Sequence, residues 1–138
     1  MAVQSAPVLP QTPNVGVTQL TTTAAANTFV TAYTGGANGS KITAISAVNS
    51  STATINLLGA INSAATNFVF NAVSLVSNAG ITGTTSPGSL MGSFQAIDGD
   101  GNPYLFLASS AQTLTVTITS SIPTTGGFVV VTVTAADF

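Results

Sequence analysis

Apolar and polar residues alternate with a period of two over most of this chain. The clearest case is residues 114–119, where aliphatic residues alternate strictly with threonine, and residues 128–133 are rich in valine. Alternation of this kind buries one face of a strand and leaves the other polar, and β-branched residues favour pleated surfaces. Both segments are therefore predicted to be strands, joined by a turn at residues 124–127.

Shorter segments with the same pattern predict further strands. They are residues 17–22, 28–34, 41–48, 54–58, 68–76 and 104–107. Asn38-Gly39 and the cluster at residues 98–103 are turn signals, because Gly, Asn, Asp and Pro suit tight turns, and residues 78–92 are a predicted loop. About eight short strands separated by such turns predict an all-β fold, a single jelly-roll-like β-sandwich of antiparallel strands.

Two alanine-rich stretches leave an alternative open. Residues 24–26 and 60–65 are rich in alanine, which has the best helix propensity. A helical turn is the alternative at each of them.

The first residues have a different pattern. Pro7, Pro10 and Pro13 recur at three-residue spacing, which is typical of an extended, polyproline-like segment. An arm of residues 1–16 would reach about 50 Å when fully extended. The predicted domain organisation is thus an N-terminal arm over residues 1–16 and a β-sandwich over residues 17–138.

Such an arm has apolar side chains to bury against a neighbouring subunit. The candidate contact residues in it are Val3, Val8, Leu9 and Pro10. Asn38 and Lys41, at the predicted turn and the strand after it, are further interface candidates. The alternative for residues 1–16 is a frayed terminus.

The composition then narrows the function classes. Of the 138 residues, 45% are hydrophobic and only 3% are charged, with a net charge of -2 and a single Lys or Arg. Nucleic-acid binding is largely electrostatic and needs several cations, so nucleic acid and anionic membranes are not expected partners. A surface with so little charge resists association poorly, which favours a protein that works packed against neighbours.

Targeting signals in the sequence indicate where the protein is made. No signal peptide and no membrane-spanning run is recognisable. Synthesis in a host cytoplasm is expected.

Few side chains are available for catalysis, since the chain contains no His, no Cys and no Glu. The titratable side chains are Lys41, Asp98, Asp100, Asp137, Tyr33 and Tyr104. Asp98 and Asp100 lie two residues apart on a glycine-rich turn, which holds them poorly for general acid–base work. Ser40 and Lys41 are adjacent on a predicted strand and should point to opposite faces. The sequence therefore predicts no enzyme, no small-molecule substrate and no cofactor.

Asp98, Asp100 and Asn102 imitate the start of a calcium-binding loop. Their alternate spacing places oxygen ligands as such a loop does. Pro103 then stands where the loop requires glycine, and no acid occupies the twelfth position. A tight turn is the favoured interpretation, and calcium binding is the alternative.

Lys41 and the phenylalanines are the remaining residues to which the sequence analysis assigns a position. Lys41 is predicted to be a solvated strand residue, with an ion pair to an Asp across a subunit boundary as the alternative. The phenylalanines predicted to lie in the core are Phe68, Phe70, Phe94, Phe106 and Phe128.

Several segments resemble a known family. They are residues 33–42 with their Gly-Ala-Asn-Gly-Ser turn, Ile45, residues 55–58, 104–107 and 114–118, and the closing Asp137-Phe138 pair. Together they resemble small virion proteins of tailed bacteriophages, over residues 17–138. The chain departs from that family in its few charged residues and in the loop at residues 78–103.

The resemblance implies a bacteriophage capsid decoration (cement) protein. Such a protein is a β-sandwich, often a homotrimer, on the outer capsid surface of the virion, where it binds and stabilises the shell of the major capsid protein and bridges capsomers. Two alternatives stay open: a phage tail, baseplate or head-fibre component, and a secreted or cell-surface adhesin or sugar-binding module. The absence of Trp, which sugar sites often use for stacking, counts against the last.

Overall fold

The computed structural model describes residues 12–92, 96–123 and 125–138, and within these ranges it is built from strands and turns. The strands are β1 (Thr12–Thr21), β2 (Val30–Thr34), β3 (Ser40–Asn49), β4 (Ile55–Ser63), β5 (Thr66–Leu75), β6 (Gly88–Ser89), β7 (Ala96–Ile97), β8 (Pro103–Leu107), β9 (Gln112–Ile118) and β10 (Phe128–Asp137). Among the described residues, no helix has the length and apolarity needed to span a membrane.

The strands form two antiparallel sheets. Sheet I has the order β1-β10-β3-β8-β7, with β6 also paired to β3, and sheet II has the order β2-β9-β4-β5. Among the eight longer strands, the first pairs with the last, β2 with β9, β3 with β8 and β4 with β5. This nested pairing, shared between two sheets, is that of a jelly roll. The predicted all-β, jelly-roll-like sandwich is confirmed, with β6 and β7 as two short additions.

The core lies between the two sheets and consists mainly of aliphatic side chains. Its largest fully buried members are Ile42, Ile45, Ile55, Leu57, Leu75, Leu90, Leu107, Leu114, Ile118, Val116, Val129 and Val131. Along β4, β9 and β10 they follow the period of two, so one face of each of these strands points inward. Ile42 and Ile45 of β3 are three residues apart, because the register with β10 shifts between them. Burial of this apolar surface is the main favourable term in the stability of the sandwich.

The strand β9 departs from the simple alternation that predicted it. Leu114, Val116 and Ile118 face the core as expected, but Thr115 and Thr117 on its other face are also buried, at 5% and 2% exposure. The Thr115 hydroxyl donates to Asn67 Oδ1 at 2.9 Å. These two threonines of β9 thus have their hydrogen-bond partners inside the protein, and this part of the outer face of the strand is not exposed to solvent.

The boundary of the predicted arm is different in the structure. Strand β1 begins at Thr12, and residues 12–16 pair with β10 from Thr12 opposite Asp137 onward. Pro13 is tolerated because β1 is an edge strand, where a missing N–H disrupts no second ladder. These five residues therefore belong to the sandwich, and the rest of the predicted arm, residues 1–11, lies outside the described residues.

The alanine-rich stretches contain no helical turn. Residues 60–63 belong to β4, and residues 24–26 lie in tight turns, where the amide of Ala24 donates to the carbonyl of Thr21 at 2.9 Å. The alternative of a helical turn was wrong at residues 60–63 because the pairing of β4 with both β5 and β9 outweighs helix propensity, which is a weak local preference even for alanine.

The phenylalanines are less buried than predicted. Phe68 is 59% exposed and Phe106 is 47% exposed, so the prediction of a core position was wrong for both. Phe70 and Phe128 are half-buried, and Phe94 lies outside the described residues. Phe68 lies on β5 at the edge of sheet II, and Phe106 lies on the outer face of sheet I. Neither position has a second layer of structure to cover it.

Candidate interaction site

The outer face of sheet I carries a groove of about 450 Å³, called the aromatic groove below. It is lined by Lys41, Ile97, Asp98, Gly99, Tyr104, Phe106 and Phe138. Two of its side chains are large, apolar and about half exposed, Ile97 at 53% and Phe106 at 47%. It is therefore a concave, partly apolar surface with both a cation and a carboxylate in its wall.

The register of β3 and β8 explains why these side chains meet. Lys41 pairs directly with Phe106, and Ile42 pairs with Leu105. Because successive residues of a strand point to opposite faces, Tyr104 and Phe106 project outward with Lys41, while Leu105 packs against the core. The groove is thus the outer face of the β3–β8 pair.

Phe138 forms one wall of the groove and is held by the turn before β3. Its amide donates to the carbonyl of Gly39 at 3.1 Å, and the exposed Asn38 side chain donates to its carbonyl at 3.4 Å. The rings of Phe138 and Phe106 are 5.5 Å apart at 57°, a tilted geometry that aromatic pairs favour. The Asn-Gly turn predicted from the sequence therefore positions a residue of the groove.

That turn also carries the chain from one sheet to the other. The amide of Gly39 donates to the carbonyl of Gly36 at 3.0 Å, and Gly39 has a φ of 99°, which favours glycine. It joins β2 of sheet II to β3 of sheet I. The predicted turn is confirmed, as a crossing between the layers.

Lys41 is paired within its own chain. Its Nζ lies 3.2 Å from Asp98 Oδ2 and 5.0 Å from the centre of the Tyr104 ring. Both contacts stabilise the ammonium group and fix it at the side of the groove. The structure therefore replaces the two sequence interpretations, a solvated lysine or a partner across a subunit boundary, with an intrachain pair.

Both carboxylate oxygens of Asp98 accept hydrogen bonds. Oδ1 accepts the amides of Asn102 at 2.9 Å and Asp100 at 3.1 Å, while Oδ2 accepts Lys41. The amide of Asn102 first, and then Lys41 and the amide of Asp100, lower the pKa of the Asp98 carboxyl because they stabilise its charged form.

This geometry is that of a side chain capping its own turn. A calcium ion on Asp98, Asp100 and Asn102 would have to displace these donors. No group of three or more His, Cys, Asp or Glu side chains that could hold a metal occurs in the described ranges.

Asp137 makes a second polar cluster, at the end of the sandwich beside the groove. Its Oδ1 accepts the hydroxyls of Tyr33 at 2.6 Å and Ser40 at 2.5 Å, and its Oδ2 accepts Asn14 Nδ2 at 3.2 Å. The Ser40 and Tyr33 hydroxyls lower the pKa of Asp137, and burial followed by the contact with Asp137 raises the pKa of Tyr33. Four strands are linked through this carboxylate: β1, β2, β3 and β10.

Ser40 and Lys41 do not form a catalytic pair. Ser40 is fully buried and donates to Asp137, whereas Lys41 lies on the opposite face of β3. Their side chains point to opposite faces of β3, as predicted for adjacent residues of a strand.

Two long strand edges provide further candidate contact surfaces. β1 is the outer strand at one side of sheet I and β5 is the outer strand at one side of sheet II, with ten residues each. Val15 and Val17 on β1 are 59% and 64% exposed, and Val69 on β5 is 52% exposed. Natural edges are commonly protected by charge, but these two strands contain no charged side chain.

The predicted interface residues are distributed unevenly relative to these surfaces. Val3, Val8, Leu9 and Pro10 lie outside the described residues, whereas Lys41 lines the aromatic groove and Asn38 supports its wall. Sequence reasoning did not single out Ile97, Tyr104 or Phe138 as site residues. The available signal was the order aromatic, aliphatic, aromatic, aliphatic at residues 104–107, which places two aromatic rings on one face of β8.

Comparisons with known proteins give weak likenesses. No protein-family model and no curated protein sequence matches the chain. A chain of the cyanophage Pam1 capsid asymmetric unit has a TM-score of 0.48 and 15% identity, covering 99% of this chain and 94% of that one. A chain of the extra small virus (XSV) VLP of the giant freshwater prawn Macrobrachium rosenbergii has a TM-score of 0.35 and 13% identity, with coverages of 99% and 87%. At these scores the likenesses carry no argument, and the resemblance to tailed-phage virion proteins stays a prediction.

Proposed function

We propose that this protein is a non-enzymatic virion structural protein, a capsid decoration (cement) protein that binds the shell of the major capsid protein from outside and contacts further copies of itself as a homotrimer. The observation that carries the proposal is a jelly roll with two uncharged ten-residue strand edges and almost no charge elsewhere on its surface.

The fold supports this class without deciding it. Jelly rolls occur in viral capsid proteins, lectin domains and cupins, and function has to be argued from the site. A metal-dependent activity needs ligand clusters, and none of the required size occurs in the described ranges. The polar clusters at Asp98 and Asp137 have their hydrogen bonds within the chain, which is typical of structural roles.

The surface supports a role in an assembly. An exposed strand edge is a template for pairing with another chain, and β-strand addition is a recurring way of binding an extended segment. The side chains of a strand paired to β1 would partly cover the exposed Val15 and Val17. A decoration protein repeats weak contacts over many copies, so modest affinity per contact suffices.

Localisation on purified particles tests the proposal. Cryo-electron microscopy of particles from the source is expected to show density for this chain on the outer capsid shell. Density on the tail would favour a tail, baseplate or head-fibre component. Absence from particles, together with glycan binding by the isolated protein, would favour the adhesin or sugar-binding alternative.

A matched pair of variants tests the role of the β1 edge. Val17→Lys adds a charge to this edge. When the variant is added to particles from which this protein has been removed, its occupancy is expected to be lower by about tenfold or more, since an unpaired charge in an interface is costly. Ser86→Lys adds the same charge on an exposed loop and should bind like the unmodified protein. Equal occupancy of the two variants would show that the β1 edge is not part of the interface with the capsid.

A further inference from the structure

We infer that the end of the β4–β5 hairpin of one copy inserts into the aromatic groove of a neighbouring copy, so that copies join head to tail. This end, residues 62–69, is called the hairpin tip below. The inference rests on the proposed function for its premise that copies of this chain meet, and it names the two surfaces through which they do so. Each copy contributes one hairpin tip and one groove.

The turn of the hairpin tip has a strained backbone. Ala64 and Ala65 connect the paired residues Ser63 and Thr66, and their φ angles are 50° and 64°. Turns with positive φ at both central positions favour Asn-Gly, because this left-handed conformation brings the Cβ of other residues close to a carbonyl oxygen. The chain has Asn-Gly at the turn of residues 38–39. Since strain of this kind clusters at functional sites, the two exposed methyl groups mark the turn as a contact surface.

The side chains around the turn are largely apolar and uncharged. Phe68 is 59% exposed and Val69 is 52% exposed. Neighbours on a strand point to opposite faces, so the tip presents apolar side chains on both faces of the hairpin. Its polar side chains bond within the chain, since Asn62 Nδ2 donates to Asn67 Oδ1 at 3.0 Å, and β4 and β5 contain no charged residue. The hairpin tip is therefore a projecting surface suited to a concave, apolar partner.

The aromatic groove supplies the matching concave surface. Ile97 and Phe106 in its lining are about half exposed, and the charged side chains of Lys41 and Asp98 already neutralise each other at 3.2 Å. An ammonium group has three N–H donors, so Lys41 can keep this pair and donate to a backbone carbonyl of the incoming turn. Tip and groove thus complement each other in shape and in their lack of net charge.

The fold excludes insertion of the hairpin tip into the groove of its own copy. Pairing of β4 with β5 and with β9 extends to Ser63 and holds the tip in sheet II, whereas the groove lies on the outer face of sheet I, on the other side of the core. A contact between tip and groove therefore joins two copies. Such a contact is heterologous, and it closes into a ring, as the proposed homotrimer requires, when the rotation between copies permits.

Site-directed cross-linking tests the inference on the full chain, which has no cysteine of its own. One copy carries Thr66→Cys at the tip, and a second, separately tagged copy carries Gly99→Cys in the groove, where an added side chain meets nothing within 4 Å. The two are co-expressed and treated with a short bismaleimide. In the control, Ser86→Cys on an exposed loop replaces Gly99→Cys. The expected yield of dimers carrying both tags is at least about tenfold higher with Gly99→Cys, because docking raises the local concentration of the tip at the groove.

A second experiment separates the contact from the stability of the fold. Ala64→Asn/Ala65→Gly relieves the strained turn, so the midpoint of thermal unfolding of the dilute, monomeric protein should rise by about 3–8 °C. The same change places a polar amide in the contact and removes a methyl group from it, so self-association measured by analytical ultracentrifugation should weaken by about tenfold. Phe68→Ser should weaken it by a similar factor. Ile81→Ser, at an apolar residue that is 47% exposed outside the tip, is the control and should associate like the unmodified protein.

Two kinds of result would overturn the inference. Equal dimer yields with Gly99→Cys and Ser86→Cys would mean random collision, and unchanged self-association of Ala64→Asn/Ala65→Gly and of Phe68→Ser would exclude the tip from the contact. The proposed function is judged separately by particle localisation. Linked dimers without capsid density would refute the proposed function alone, and capsid density without linked dimers would refute the contact between tip and groove alone.

Discussion

At the scale of single residues, the carboxylate of Asp137 is one polar connection between the two sheets. It accepts hydrogen bonds from Tyr33 of sheet II and from Ser40 of sheet I. Hydrogen bonds to a charged acceptor are stronger than neutral ones. The sequence showed Asp137 as one of three acids, but its partners are 97 and 104 residues away along the chain, and local pattern carries no information about such contacts.

Stability should depend on pH through Asp137. Its pKa is lowered in the fold from the ordinary value of 3.8, so the unfolded chain binds the proton more readily than the folded one. The contribution is therefore complete above about pH 5 and is lost as the pH falls through the folded pKa. Urea unfolding at pH 7 and at pH 3 should show a lower free energy of unfolding at pH 3.

Two variants test whether the pH dependence of stability comes from Asp137. Asp137→Ala leaves the Tyr33 and Ser40 hydroxyls without their acceptor and should cost about 1–3 kcal/mol at pH 7. The pH dependence should be smaller in Asp137→Ala than in the unmodified protein. Asp98→Asn is the matched control, because the pKa of Asp98 is also lowered but the group lies on an exposed turn. A pH dependence that survives in Asp137→Ala and disappears in Asp98→Asn would contradict the assignment.

At the scale of strands, the two sheets come close together where β1 passes β2. A Cβ on Gly16 would lie 2.4 Å from the carbonyl oxygen of Ala32 and 3.0 Å from the Tyr33 ring. Thr18 of β1 donates to the carbonyl of Thr31 at 3.0 Å. Glycine at position 16 thus allows two strands from different sheets to come into backbone contact.

Gly16→Ala should therefore loosen this edge of the sandwich. The added methyl group would force the backbone of β2 away, and overpacking of this kind costs about 1–3 kcal/mol. Gly99→Ala, where the added methyl group meets nothing, is the control and should leave the midpoint of thermal unfolding unchanged. Equal midpoints for the two variants would show that β1 can move freely at this point.

The strands themselves were predictable, and their partners were not. Alternation located the eight longer strands, because a period of two follows directly from the pleat. Strands β1, β4 and β10 were predicted too short, by four to five residues each. Their missed ends contain Pro13 or are rich in alanine and polar residues, which locally resemble a loop or a helical turn. The exposure of Phe106 was missed because the same alternation fits either face of β8 until the register with β3 is known.

At the scale of the whole molecule, the shortage of charge should govern solution behaviour. With four charged side chains in all, raising NaCl from about 0.1 to 1 M, which shortens the Debye length from about 10 to 3 Å, should change self-association little. Sodium sulfate strengthens apolar contacts by exclusion from the surface and should promote association at matched ionic strength. Analytical ultracentrifugation measures both, and dissociation in NaCl would point to ionic contacts.

The nested pairing of the strands has a consequence for biosynthesis. The first strand has its sheet partner in the last one, so residues 12–21 leave the ribosome more than a hundred residues before β10 can pair with them. Chains dominated by such distant pairings fold slowly, and exposed, unpaired strands aggregate while they wait. Closure of this sandwich therefore waits until β10 has been synthesised, and until then a nascent chain with so few charges depends on rapid completion or on chaperones for its solubility.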